Sequence, residues 1–134
     1  MKKGLIIAVA LVLVLSVALL CACAPESPED LQEKLTEKGY SLDVLSGDEV
    51  SVGFDLDFQG GLILSKEGDV KLVAFWCADA EDADTLKRFA KMLQKHEVYG
   101  SFGVTASGDE ELVVDTWGNI FYMGTLDAEK DFLG

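Results

Sequence analysis

Residues 70–78, VKLVAFWCA, are apolar at every position except Lys71. A run of this length, bounded by turn residues and rich in β-branched and aromatic side chains, reads as a strand covered on both faces, and so as a central one. The segments around it read as its partners. VSVGFDLDFQ, 50–59, alternates strictly: Val50, Val52, Phe54, Leu56 and Phe58 point one way, and Ser51, Gly53, Asp55, Asp57 and Gln59 the other. That is the pattern of an antiparallel strand with one solvated face. Gly60-Gly61 is expected to turn the chain into a further strand, LILSK. YSLDVL (40–45), VYGSFGVTA (98–106), ELVVDTW (111–117) and IFYMG (120–124) are the other candidates, with turns at Glu67-Gly68-Asp69, Ser107-Gly108-Asp109 and Gly118-Asn119.

Three helices complete the pattern. Ser27 suits an N-cap, Pro28 the first helical position, and Glu29 and Asp30 the first turn; Leu31 and Leu35 share a face, and Gly39 stops the helix after Lys38. A second helix, about 80–95, is capped by Asp79, carries Ala83, Leu86, Phe89, Ala90 and Leu93 as its apolar stripe, and places Lys87, Arg88, Lys91 and Lys95 towards its C-terminal end, where the helix dipole favours cations. TLDAEKDFL closes the chain as a short helix capped by Thr125. The expected fold is α+β, a largely antiparallel sheet with helices packed on one face, forming a single domain over 27–134.

The first 22 residues are of another kind. Lys2, Lys3 and Gly4 precede sixteen residues, Leu5 to Leu20, that are apolar except for Ser16, and no acid occurs before Glu26. This is the pattern of a secretory signal. From Leu5 to Ala24 the stretch also approaches the ~20 residues that a membrane span needs, so length alone does not separate a signal from a retained helix.

Leu20-Cys21-Ala22-Cys23 separates them. The stretch resembles the lipobox of bacterial lipoproteins: Leu three positions before a cysteine, a tolerant position, a small residue, then the cysteine. Cys21 fits that role poorly, because Leu20 would occupy the small position. The resemblance implies cleavage between Ala22 and Cys23, with Cys23 acylated as the new N-terminus. Residues 1–22 are then a lipoprotein signal peptide, and 23–26 are the lipidated cysteine and a short tether. The implied location is the extracytoplasmic face of the cell membrane.

Charge and cysteine count follow from that processing. The whole chain has 11 basic and 24 acidic residues; without Lys2 and Lys3 the balance is 9 against 24, a formal −15. Nucleic acid is not expected as a partner, since phosphate recognition needs a basic surface. Anionic head groups are disfavoured for the same reason, so the membrane is held through the lipid. Cys77 is left without a disulfide partner, and the fold must rest on its apolar core.

Candidate chemistry in the body is sparse. His96 is the sole histidine and has no nucleophile motif beside it; it reads as a solvated residue at a helix end. Cys77, in the apolar strand, reads as a buried structural thiol. The acids crowd at Asp55 and Asp57, at Asp79, Glu81, Asp82 and Asp84, and at Asp109, Glu110 and Glu111, but none follows the spacing of a calcium loop. No catalytic residue, metal site or cofactor is expected.

Three segments, EDLQEKLTEKGYSLDV, ADAEDADTLKRFAKML and NIFYMGTLDAEKDFL, make the body similar to small uncharacterised lipoproteins of Gram-positive bacteria, clostridia especially. The resemblance implies no particular activity. The expectation is a non-enzymatic binding or interaction module, its protein or small-ligand partner unspecified. The alternatives are a small hydrolase using acids and His96, or an acidic calcium-responsive module.

Overall fold

The computed structural model describes residues 24–50, 56–95, 104 and 111–134. The expected signal peptide, Ala22, Cys23, His96 and the 98–106 strand apart from Val104 lie outside the described residues, as do Asp55, Asp109 and Glu110.

A 3-10 turn, Pro28–Leu31, runs into helix α1, Gln32–Glu37. Among the described residues five strands follow: β1, Ser41–Ser46; β2, Phe58–Lys66; β3, Asp69–Cys77; β4, Leu112–Trp117; and β5, Ile120–Thr125. Helix α2, Ala80–Lys95, follows β3, and helix α3, Leu126–Leu133, closes the chain. The strands form one sheet in the order β1-β2-β3-β5-β4, each neighbouring pair antiparallel. The fold is α+β, with β3 at the centre of the sheet.

Helix ends follow local chemistry. Asp79 Oδ1 accepts the Asp82 N–H at 2.8 Å at the start of α2, and Thr125 Oγ1 accepts the Ala128 N–H at 3.2 Å at the start of α3. Each satisfies a donor that a helix N-terminus leaves unpaired. Gly39, with φ of 93°, ends α1. The β2–β3 hairpin turns through Glu67 and Gly68, with φ of 55° and 86°, the two positive values that a two-residue type I′ turn needs.

Two features depart from the sequence-based expectation. Gly60-Gly61 is not a turn. Both glycines lie within β2, paired to Trp76 and Phe75 on one side and to Ser46 and Leu45 on the other. They serve close approach instead: a Cβ on Gly61 would come 2.9 Å from Val50 Cγ2, and one on Gly60 would come 3.4 Å from the Pro28 ring. Val50 itself caps the short 3-10 turn Gly47–Glu49, and β2 begins at Phe58; residues 51–55 of the expected 50–59 strand lie outside the described residues.

The helices also occupy both faces of the sheet rather than one. Leu72, Ala74 and Trp76 of β3 join Leu31 and Leu35 and, from α3, Ala128 and Phe132 in one core. Val73, Phe75 and Cys77 join Ala83, Leu86 and Ala90 of α2 in the other. A strand apolar on both faces requires a layer on each, and α2 supplies the second.

In the first core, Phe132 packs against Trp117, Tyr122 and Trp76 with ring centroids 5.5, 5.4 and 6.5 Å away. Outside the cores, Lys87 of α2 reaches Asp115 of β4, Nζ to Oδ1 2.9 Å. Burial pushes the Asp115 carboxyl up, but the Lys87 and Thr116 N–H hydrogen bonds and the charges of Lys87 and Lys91 overcome it and hold the group below its ordinary value.

Two outcomes are expected in chemical denaturation. Phe132→Ala should lower the unfolding free energy by about 3–5 kcal/mol, and Phe132→Leu by much less, because the first empties a fully enclosed site. Lys87→Met should cost less than about 1 kcal/mol at pH 7, since the Asp115 side chain is 50% exposed. The depressed carboxyl contributes stability above its unfolded value of about 3.9, and loses it as pH falls through the lower folded value. The difference between Lys87→Met and the parent should therefore vanish in acid.

Candidate functional site

A cleft of about 370 Å³ opens at one end of the sheet, lined by Tyr40, Lys66, Lys71, Thr125, Asp127, Lys130 and Asp131. Topology assembles it. Tyr40 directly precedes β1, Lys66 ends β2, Lys71 lies near the start of β3, and Thr125 ends β5 and caps α3. Antiparallel pairing brings all four to the same end.

Much of the wall is already bonded. Tyr40 Oη donates to Asp131 Oδ2 at 2.7 Å. Lys38 Nζ stands 3.9 Å from Asp131 Oδ1 and donates to the Asp131 carbonyl at 3.3 Å. Lys66 Nζ lies over the Tyr40 ring, 4.8 Å from its centroid, and donates to the Lys38 carbonyl at 3.4 Å. Beside the cleft, Lys34 Nζ donates to the Phe132 carbonyl at 2.8 Å. Burial, and then Lys38, push the Lys34 ammonium below its ordinary value, against the opposing pull of Asp131.

The Thr125 hydroxyl is fully buried and accepts from the α3 backbone, and the Tyr40 hydroxyl donates to the Asp131 carboxylate. Lys66, Lys71 and Lys130 bring donors and positive charge to a wall that also carries Asp127 and Asp131.

The residues singled out from sequence lie elsewhere. Cys77 is fully buried at the end of β3, its thiol directed at the Phe75 carbonyl 3.8 Å away. Burial, and then Asp82, push it up to about 12. Asp79 is spent as a helix cap, and Asp84 pairs with Arg88 one turn on, at 3.1 Å. Asp57 and Glu111 are exposed. Among the described residues, no group of three or more His, Cys, Asp or Glu is placed to hold a metal ion, and no helix is long and apolar enough to cross a membrane.

The entry of the chain into the fold was not legible from sequence. Ala24 packs against the first core, and the Pro25 carbonyl accepts the Trp76 indole N–H at 2.8 Å. Residues that read as tether are held against the sheet.

No family model, curated protein or solved structure matches this chain.

The Cys77 thiol should resist alkylation by iodoacetamide at pH 8, because only the thiolate reacts. Mass spectrometry of the Cys77 peptide should show full modification only after denaturation. Modification at the same rate in the native protein would contradict the burial described.

Proposed function

We propose that the chain is a bacterial lipoprotein, acylated at Cys23 after loss of residues 1–22, whose body is a non-enzymatic binding module on the extracytoplasmic face of the cell membrane. One observation carries the reading: the lipobox-like Leu20-Cys21-Ala22-Cys23 closes a signal-like segment with a basic start and an apolar run, and the described body that follows it has two apolar cores of its own. Two acyl chains on one cysteine hold a protein stably, where a single chain binds only marginally. The anchor therefore retains a domain whose formal −15 opposes adsorption to anionic lipid.

The binding face in this reading is the lysine-lined cleft. It supplies Lys66, Lys71 and Lys130, beside Asp127 and Asp131, around a concave surface, and a small anionic group is the ligand that the lysines favour.

Metabolic labelling with a fatty acid in a bacterial host tests the anchor. Cys23→Ala should abolish both label and detergent-phase partitioning. Cys21→Ala should leave both intact, because the position it occupies is tolerant. Label retained in Cys23→Ala, or lost in Cys21→Ala, overturns the assignment.

A further inference from the structure

The path of the chain into the fold fixes more than a point of attachment. Pro25 is bound through its carbonyl to Trp76, whose side chain is fully buried. A Cβ on Gly118 would lie 3.0 Å from Ala24 Cβ, so a glycine in the β4–β5 hairpin makes room for the entering chain. Pro28, three residues on, is buried, with its ring over Gly60. Trp76, Gly118 and Gly60 all sit at one end of the sheet: Trp76 pairs with both Gly60 and Ile120, and Gly118 lies in the adjoining turn. The hairpin is itself sewn to the end of β3, because Asn119 Nδ2 donates to the Cys77 carbonyl at 2.8 Å and the Cys77 N–H donates to the Asn119 carbonyl at 2.9 Å. The cleft occupies the opposite end.

We propose that the domain stands on the membrane in one orientation, with the Gly118-Asn119 hairpin facing the bilayer and the lysine cleft opening away from it. The inference rests on the N-terminal anchor proposed above but not on its chemistry. A lipid on Cys23 or a retained apolar helix would hold Ala24 at the same place. With Ala24 and Pro25 clamped, no flexible spacer remains among the described residues to let the domain turn over.

The orientation selects the kind of partner. Along β3, Lys71 and Trp76 are five residues apart, or ~17 Å at ~3.3 Å per residue. That is about two screening lengths, each ~8 Å at physiological ionic strength. The cleft therefore stands clear of the head groups of its own bilayer, and of their screened field. It fits an anionic group arriving from the aqueous side, as a carboxylate or phosphate on a soluble or cell-surface molecule, and not a phosphate of the underlying lipid.

The test uses the full chain expressed in a bacterium, purified from its membranes with its anchor and reconstituted into phosphatidylcholine vesicles, so that no net lipid charge competes with the clamp. Fluorophores are placed singly, through Ala78→Cys at the hairpin end and Asp127→Cys at the cleft. Both positions are exposed. A nitroxide carried on the lipid head group should quench the Ala78→Cys reporter several-fold more strongly than the Asp127→Cys reporter. Insertion of a Gly-Ser segment of about twelve residues before Ala24, with a mean span of ~20 Å, should bring the two towards equality without disturbing the fold. Equal quenching without the insertion, or a difference unchanged by it, overturns the orientation and leaves the anchor standing. Protein recovered free of vesicles overturns both. The mass of the N-terminal peptide identifies the anchor independently.

Discussion

The burial of β3 on both faces is the constraint from which the rest of the architecture follows. Leu72, Ala74 and Trp76 point into one core and Val73, Phe75 and Cys77 into the other, all of them buried. At roughly 25 cal/mol for each Å² of apolar surface removed from water, such a strand is stable only with strands on either side and a helical layer above and below. β2 and β5 supply the flanks, α2 covers one face, and α1 with α3 covers the other. One polar contact that this packing demands is made by Trp76. Its indole N–H would be costly to leave unpaired in the core, and it finds the Pro25 carbonyl. The same strand that organises the sheet thus captures the start of the domain.

What could be read in advance, and what could not, divides along the range of the interactions involved. Asp79 and Thr125 were legible as helix caps because capping acts over three residues. Gly39 was legible as a helix stop for the same reason. The apolar stripe of α2 appeared at its helical spacing, and Ala83, Leu86 and Ala90 are buried as that spacing predicts. Gly60-Gly61 misled because a glycine pair signals a turn equally well as a close approach. Only the position of Pro28 and Val50 in space distinguishes the two. The second helical layer was implicit in the doubly apolar strand, but the face on which each helix packs depends on strand order, and strand order has no local signature.

The cleft illustrates the same limit. Tyr40 and Asp131 are 91 positions apart and meet through a 2.7 Å hydrogen bond. Lys66 lies over Tyr40 only because β1 and β2 pair with Ser41 opposite Ser65. Each lysine alone reads as a solubilising residue near a strand end. Their convergence is a property of the topology.

That convergence bears on how an acidic domain could bind an anion at all. Of the nine basic residues after residue 22, Lys66, Lys71 and Lys130 line the cleft, and Lys34 and Lys38 bond to the α3 backbone beside it. The other four belong to α2, on the far face of the sheet. Asp127 and Asp131 line the same cleft, and Asp131 accepts from Tyr40 and stands beside Lys38. With screening over ~8 Å, a group at the cleft responds to this wall, three lysines against two aspartates, more than to the net charge of the distant surface. The formal −15 of the body thus governs solubility and repulsion at long range, while selectivity at the cleft depends on how its lysines and aspartates are paired.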